Sequence, residues 1–294
     1  MRILITGIGG MLGHDLARVL KDSHQIFGVG RKKRSFGNGI KYFRCDLLNP
    51  SDLQKIVKQV RPDVVIHSAG KTQVDDCELN PLEAYSENVL ATQFLVKALK
   101  PYRPRFIHVS SDYVFDGKKK SPYVESDSPA PLSAYGATKF LGEEAVRNSG
   151  LSWVIVRTSW LYGLNGPNFV ETMLRMGRDR DVLNVVTDQK GSPTYTKDLA
   201  FAIKKIVEEK KSRGIFNVTN SGVTNWNAYA KAILKESGLN HIKVLGIKAR
   251  DFNRPAPRPE NSVLDNSKFR KTFRFKARNW QAALKDYLKE AQAK

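Results

Sequence analysis

The chain is short of cysteine and has no long hydrophobic run. Its two cysteines, Cys45 and Cys77, have neither metal-site nor Cys-x-x-Cys spacing, so we predict that they are reduced structural residues. No apolar stretch approaches the ~20 residues that span a membrane. The sequence after Met1 begins as a strand followed by glycines and does not have the pattern of a signal peptide. These absences predict a cytoplasmic protein with no membrane segment and no metal site.

Acidic residues are scarce relative to basic ones. The 294 residues include 49 Lys and Arg but 29 Asp and Glu, which gives a formal net charge of +20. Such a balance is typical of nucleic-acid-binding proteins. Here, however, the basic residues are scattered, and no zinc finger, RNP-type motif or basic arm accompanies them. We therefore predict a solvated basic surface that attracts anions of nucleotide size, and no nucleic-acid partner.

Short apolar strands alternate with helical patterns through the first half of the chain. Such alternation predicts βαβ units and a parallel sheet with right-handed crossovers. Strands are predicted at residues 2–6, 25–29, 41–44, 63–67, 106–109 and 153–156. The predicted fold class is therefore α/β, a Rossmann-type doubly wound parallel sheet over residues 1–162 with a returning segment near 184–211. Residues 163–294 are predicted to form a smaller, discontinuous C-terminal α/β substrate domain.

A glycine-rich turn joins the first strand to the first helix. Gly7, Gly10 and Gly13 have the spacing G-x-x-G-x-x-G. In a dinucleotide site the first glycine permits a tight turn, the second lets backbone amides approach a pyrophosphate, and the third lets helix and strand pack closely. The dipole at the helix N-terminus also favours the anion. A strand, a glycine turn and a helix in immediate succession predict dinucleotide binding.

The end of the second strand indicates which dinucleotide binds. An acidic residue there would hydrogen-bond the ribose hydroxyls and repel a 2′-phosphate. This chain instead has four consecutive basic residues, Arg31-Lys32-Lys33-Arg34, and no acid. We predict NADP(H) as the cofactor, with Arg31 at the 2′-phosphate and NAD(H) as the alternative.

A serine, a tyrosine and a lysine form the predicted catalytic group. Ser111 follows the fifth predicted strand, and Tyr135 and Lys139 are four residues apart on a predicted helix, where they share a face. A nearby ammonium stabilises a phenolate, so Lys139 is expected to lower the pKa of Tyr135 and make it a proton donor near neutral pH. Tyr-x-x-x-Lys alone is a weak signal, because most such pairs are a solvated lysine beside a half-buried ring.

Position in the predicted sheet strengthens that signal. Ligands of parallel sheets lie beyond the carboxyl ends of the strands. Five candidate residues fall at those ends: Gly7, Asp46, Gly70, Ser111 and Thr158. Their coincidence predicts a single site.

Together these motifs resemble the extended short-chain dehydrogenase/reductases, and within them the dTDP-4-dehydrorhamnose reductase family. The closer signatures are SSDYVFDG (110–117), RTSWLYG (157–163), NFVETML (168–174), DQKGSPT (188–194) and RPENSVLD (258–265). They extend over nearly the whole chain. The resemblance implies NADPH-dependent reduction of the C4 keto group of dTDP-4-dehydro-L-rhamnose to dTDP-L-rhamnose.

The resemblance also implies roles for individual residues. Tyr135 would donate a proton to the C4 oxygen, Lys139 would lower the pKa of Tyr135 and hold the nicotinamide ribose, and Ser111 would hydrogen-bond the carbonyl. Cofactor-contacting positions are matched by Gly10, Met11, Leu12, Asp46, Leu47, Gly70, Lys71 and Thr72. Substrate-contacting positions are matched by Val74, Ser111, Asp112 and Trp160. Ser111 stands where the family usually has threonine, and Lys71 where it usually has histidine.

A second relative provides the alternative function. The regulatory β subunit of methionine adenosyltransferase resembles this chain in SSDYVFDG and Tyr-x-x-x-Lys and binds NADP, but it lacks an aromatic residue at the position of Trp160. Trp160 follows the sixth predicted strand, at the ligand edge of the sheet, and therefore favours the sugar reductase. A nucleotide sugar is the predicted partner, and a homodimer is one alternative for the assembly.

Overall fold

A seven-stranded parallel sheet forms the centre of the computed structural model, which describes residues 1–32, 35–37 and 39–293. Lys33 and Arg34, half of the predicted basic run, lie outside the described residues. The described strands are β1 (Arg2–Thr6), β2 (Gln25–Gly30), β3 (Ile40–Arg44), β4 (Val64–His67), β5 (Arg105–Ser111), β6 (Ser152–Thr158), β7 (Leu161–Tyr162), β8 (Val182–Val186), β9 (Lys190–Gly191), β10 (Thr194–Tyr195), β11 (Gly214–Asn217), β12 (Thr224–Asn225) and β13 (Lys243–Ile247). The main sheet has the order β11-β6-β5-β4-β1-β2-β3, so the predicted Rossmann-type fold is confirmed.

Helices cover both faces of this sheet. The described α-helices of the chain are α1 (Met11–Leu20), α2 (Pro50–Val60), α3 (Val74–Leu79), α4 (Pro81–Tyr85), α5 (Ala91–Leu99), α6 (Ala134–Arg147), α7 (Phe169–Asp179), α8 (Thr196–Glu208), α9 (Trp226–Glu236), α10 (Ser267–Phe273) and α11 (Trp280–Gln292). Side chains alternate across a strand. Ile3 and Ile5 of β1 therefore join one buried cluster with α1 and α8, while Leu4 joins another with α2 and α5.

A π-helical turn, Ser86–Leu90, lies between α4 and α5, and such turns are frequent at functional sites. It contains the buried Asn88, whose carbonyl oxygen accepts from the backbone N–H of Lys71 at 2.8 Å. The Asn88 amide donates to the Lys71 carbonyl at 3.1 Å and to the Thr138 hydroxyl at 3.0 Å. Because a buried amide must be hydrogen-bonded, Asn88 fixes the loop after β4 against α6.

The edge strand β11 was not predicted as part of the main sheet. Residues 214–217 lie beyond the predicted returning segment, yet they pair parallel with β6. The buried Arg105 guanidinium donates to the carbonyls of Ile206, Glu209 and Ser212 at 2.5, 2.7 and 2.7 Å. These carbonyls lie in and after the last turn of α8, where a helix leaves acceptors unsatisfied. Arg105 therefore caps α8 beside the edge of the sheet.

The C-terminal part of the chain has a second core, which is rich in aromatic residues. The short strands pair as β7 with β10, β8 with β13 and β9 with β12. Four tyrosines are buried together: Tyr162, Tyr195, Tyr229 and Tyr287. The Tyr162 and Tyr195 rings stack at 5.5 Å, a favourable separation for offset aromatic rings. This core holds α7, α9 and α11 beside the carboxyl ends of the main strands.

The two cysteines are buried and free. Burial raises the pKa of the Cys45 and Cys77 thiols to about 11, so both stay protonated near neutral pH. Among the described residues, no helix is long and apolar enough to cross a membrane. The same residues include no group of three or more His, Cys, Asp or Glu side chains placed to hold a metal ion.

A buried ion pair connects the elements that carry the candidate catalytic residues. The Arg157 guanidinium on β6 donates to both carboxylate oxygens of Glu143 on α6, at 2.9 and 2.6 Å. Ser110 on β5 donates to the same carboxylate at 2.5 Å. Arg157 and Glu143 are 1% and 0% exposed. A charge buried this deeply costs several kcal/mol unless it is paired, so the pair holds β5, β6 and α6 in one geometry.

We expect Arg157→Met to lower the free energy of unfolding by about 3–5 kcal/mol, because Glu143 would be left charged and unpaired. The double variant with Glu143→Met should recover a substantial part of that loss. Denaturant unfolding measures both. Arg147→Met removes the half-exposed pair with Glu144 on the same helix and should change stability by less than about 1 kcal/mol. Equal losses for the buried and exposed pairs would contradict this account.

Candidate active site

A cavity of about 1130 Å³ lies at the carboxyl ends of the main strands. It is lined by the glycine turn and by residues at or after the ends of β4, β5 and β6. Residues of α7 and α9 and several of residues 249–258 also line it. Nucleotide cofactors and substrates bind in sites of this size and position.

The glycine turn has the backbone geometry that its spacing predicts. Gly7 has a φ of +71°, and a Cβ there would lie 2.8 Å from the backbone of Ala69. A Cβ on Gly13 would lie 2.2 Å from the Gly7 carbonyl oxygen, so only glycine allows helix and strand this close. Gly10 caps α1 without a side-chain hydrogen bond. The first turn of α1, with Met11 and Leu12, therefore faces the cavity as a site for an anion.

The predicted catalytic group lines the same cavity. Ser111 ends β5, and its hydroxyl donates to the Asp112 carboxylate at 2.9 Å. Helix α6 begins after Ser133, whose hydroxyl accepts from a backbone N–H in the first turn, and this cap places Tyr135 at the cavity wall. One turn later, the buried Lys139 ammonium donates to the Val109 carbonyl at 2.7 Å. The structure thus brings Ser111, Tyr135 and Lys139 together.

The expected effect of Lys139 on Tyr135 is corrected by the structure. Burial raises the pKa of Tyr135 well above its ordinary value, and a hydrogen bond with Ser111 opposes this only in part. The nearby Asp112 carboxylate raises it further. Burial lowers the pKa of Lys139 to about 8. In the chain alone, desolvation outweighs the stabilisation that a lysine gives to a phenolate.

Asp112 is a second buried acid in the cavity. Burial raises the pKa of its carboxyl to about 7, although the hydrogen bond from the Ser111 hydroxyl opposes the shift. One of its oxygens has no hydrogen-bond partner among the described residues. The carboxyl therefore has an unused polar atom in a wall of the cavity, at the predicted substrate position.

The predicted cofactor residues divide into two groups. Gly70 and Thr72, after β4, line the cavity. The Lys71 side chain instead turns away, and its ammonium pairs with Asp76 at 2.5 Å and Glu83 at 2.7 Å. These partners raise the pKa of Lys71. Lys71 does not line the cavity, and both its ammonium and its backbone N–H and carbonyl already have partners within the protein.

Asp46, Leu47 and Arg31 lie at the same edge of the sheet but do not line the cavity. The backbone N–H of Leu48 donates to the Asp46 carboxylate at 2.9 Å. Arg31 is largely exposed, and its guanidinium pairs with Glu87 at 2.7 Å. Sequence reasoning did not foresee this acidic partner, because Glu87 is 56 positions away in the chain.

Trp160 lies in the cavity wall in an uncommon backbone conformation, with a φ of +48°. Its indole stacks on Trp226, the first residue of α9, at 3.5 Å and 5°. A Cβ on Gly191 would lie 2.3 Å from Cε2 of the Trp160 indole. Because Trp226 covers one face of the Trp160 indole, the Gly191 backbone must lie against the other face. The Trp160 ring therefore presents mainly its edge to the cavity.

Two further parts of the wall were not predicted. One is Trp226. The only hint of it in the sequence is that this tryptophan directly follows Asn225, a residue of the type that caps helices. The other is the segment of residues 249–258, which we call the strap. Asp75 beside Val74 holds the strap: its carboxylate accepts from Arg258 at 2.8 Å and from the backbone N–H of Ala256 at 3.3 Å.

Comparisons with known proteins agree with this site. A family model described as RmlD substrate binding domain matches residues 1–293. A dTDP-4-dehydrorhamnose reductase from Aggregatibacter actinomycetemcomitans is 38% identical over 295 residues, covering 97% of each chain. The spore coat polysaccharide biosynthesis protein SpsK of Bacillus subtilis is 37% identical over 293 residues, covering 98% of this chain and 97% of that protein.

A solved structure is similar over the same length. The crystal structure of dTDP-4-dehydrorhamnose reductase from Bacillus anthracis in complex with NADP has a TM-score of 0.89 and 33% identity, and covers 98% of this chain and 99% of that one. The resemblance inferred from the sequence motifs is confirmed, and the chain belongs to the dTDP-4-dehydrorhamnose reductase family.

Proposed function

We propose that this protein uses NADPH to reduce the C4 keto group of dTDP-4-dehydro-L-rhamnose, giving dTDP-L-rhamnose and NADP⁺. The observation that carries the proposal is that Ser111, Tyr135 and Lys139 line the same cavity as the glycine turn. A proton donor and a dinucleotide site thus share one space. Similarity to proteins named dTDP-4-dehydrorhamnose reductase, one of them crystallised with NADP, supports this substrate and cofactor.

The glycine turn fits the cofactor. Its pyrophosphate would lie against the first turn of α1, where Gly10 leaves the helix N-terminus without a side-chain cap. Lys139 would hold the nicotinamide ribose, and Thr72 and Gly70 would lie along the cofactor. NADPH, when bound, supplies a hydride to the ketone carbon. NAD(H) is the alternative cofactor.

Tyr135 would supply the proton. Its raised pKa keeps the phenol protonated in the chain alone, which is the state that a proton donor needs. As C4 gains a hydride, its oxygen develops negative charge, and Tyr135 transfers its phenolic proton to that oxygen. The Ser111 hydroxyl, which donates to Asp112 in the chain alone, would turn to donate to the same oxygen, and the Lys139 ammonium would stabilise the phenolate that forms. The ketone thus gains a hydride and a proton.

The remaining proposals concern organisation and setting. We propose that residues 1–162, together with a returning segment that includes β11, form the cofactor domain, and that the rest of residues 163–294 binds the substrate. We propose a cytoplasmic location, no nucleic-acid partner and a homodimer as the assembly to test. The alternative function is that of a non-catalytic NADP-binding regulatory subunit, which would bind NADPH without turnover of any 4-keto nucleotide sugar.

Tyr135→Phe should lower turnover of dTDP-4-dehydro-L-rhamnose by about 10²- to 10⁴-fold, the usual range for loss of a general acid. NADPH oxidation followed by absorbance measures the rate, and the NADPH dissociation constant should change little. Tyr113→Phe is the matched control, because this phenol also lines the cavity, 5.7 Å from the Tyr135 ring between centroids. Near-normal turnover in Tyr135→Phe would remove Tyr135 from the mechanism, and no turnover in the unaltered chain would favour the regulatory alternative.

Trp160→Ala should lower kcat/KM for the nucleotide sugar by about 10- to 100-fold, because misplacement of C4 costs rate as well as affinity. Trp226→Ala should act in the same direction, since each indole holds the other in place. NADPH affinity, measured by fluorescence titration, should be unchanged in both variants. Parallel losses of NADPH and sugar affinity would indicate general damage to the cavity.

Arg31→Ala should reduce the preference for NADPH over NADH, because a guanidinium forms charge-assisted hydrogen bonds with a 2′-phosphate. Glu87→Gln should increase that preference, since Glu87 competes with the phosphate for Arg31. Dissociation constants of both dinucleotides measure the ratio, and NADH affinity serves as the internal control. An unchanged ratio in Arg31→Ala would place the phosphate elsewhere.

A further inference from the structure

The strap contributes most of the positive charge that lines the cavity. Its three arginines, Arg250, Arg254 and Arg258, all belong to the lining, and Lys139 is the other basic residue there. Among the described residues, Asp112 is the only acidic one in the lining. Because burial raises the pKa of Asp112 to about 7, even this charge is only partly present near neutral pH. The cavity therefore favours an anion.

Arg258 is already neutralised within the protein. Its guanidinium donates to the Asp75 carboxylate at 2.8 Å and to the Ala256 carbonyl at 2.8 Å. Asp75 accepts a second hydrogen bond from the strap backbone and has a lowered pKa, to which the Arg258 partner contributes. Arg258 therefore holds the strap in place, and its charge is balanced by Asp75 and not by a ligand.

Arg254 is different, since the described residues offer its guanidinium neither a hydrogen bond nor an ion pair. It lies over the ring of Phe252, 4.6 Å from the centroid. This contact orients a guanidinium without using its N–H donors. Arg254 is an exposed residue of the cavity lining, and its nearest carboxylate, Asp75, is already paired with Arg258. Among the described residues, Arg254 therefore has no counterion, and its N–H donors are free for a ligand in the cavity.

We propose that Arg254 binds the diphosphate of the nucleotide-sugar substrate. This assignment rests on the proposed function, which supplies a substrate with a diphosphate between its base and its sugar. The planar fork of a guanidinium matches two phosphate oxygens. The cofactor pyrophosphate has its own proposed site at the first turn of α1, which is a different part of the lining from the strap. Arg254 thus anchors the substrate through a group that does not react, which leaves the sugar free to extend toward Tyr135.

Isothermal titration calorimetry tests this assignment. The full chain is saturated with NADP⁺ and then titrated separately with dTDP and with thymidine. Arg254→Gln should weaken dTDP binding about tenfold or more, as expected for loss of a charge-assisted hydrogen bond, and leave thymidine binding unchanged. Arg254→Lys should recover part of the dTDP affinity. Lys248→Gln is the matched control, because it removes one exposed charge next to the strap, outside the cavity lining.

Two results would overturn the assignment: unchanged dTDP affinity in Arg254→Gln, or an equal loss in Lys248→Gln. The probes contain no ketone, so this test is separate from that of the reductase activity. An inactive chain that binds dTDP through Arg254 would refute the proposed reduction alone. An active reductase whose KM for the sugar is the same in Arg254→Gln would refute the role of Arg254 alone.

Discussion

The buried carboxylate of Glu143 is the interaction on which the site depends most. Arg157 and Ser110 satisfy both of its oxygens in a region closed to water. Because an unpaired charge there would be very costly, β5, β6 and α6 cannot shift independently. Ser111 is the last residue of β5, and Tyr135 and Lys139 lie on α6, so one buried charge fixes the relative positions of the candidate catalytic group.

Burial also sets the protonation of the cavity. Burial favours the neutral forms of all three side chains: it raises the pKa of Tyr135 and Asp112 and lowers the pKa of Lys139. The buried His67 beneath them follows the same rule, with a pKa lowered to about 3. Near neutral pH the catalytic end of the cavity is therefore poor in negative charge. A reaction that creates an oxyanion is favoured in such an environment, because the charge meets donors rather than other anions.

The part of the chain after β6 completes the cavity through packing. Trp160 is held between Gly191 and Trp226, and the strap is tied to α3 by Asp75. These contacts join segments that are far apart in the chain, so the shape of this part of the cavity depends on the tertiary fold. Within the described strap, Arg254 lines the cavity without a counterion.

The sequence by itself determined the parallel sheet, the glycine turn and the Ser111, Tyr135 and Lys139 group. These depend on local patterns: strand periodicity, positive φ at Gly7, and a four-residue helical spacing. Only the tertiary structure decided that β11 joins the sheet, that Lys71 turns away from the cavity, and that burial raises the pKa of Tyr135. Each of these outcomes depends on partners distant in sequence or on solvent exclusion. Local spacing carries no information about either, because both arise only when the chain has folded.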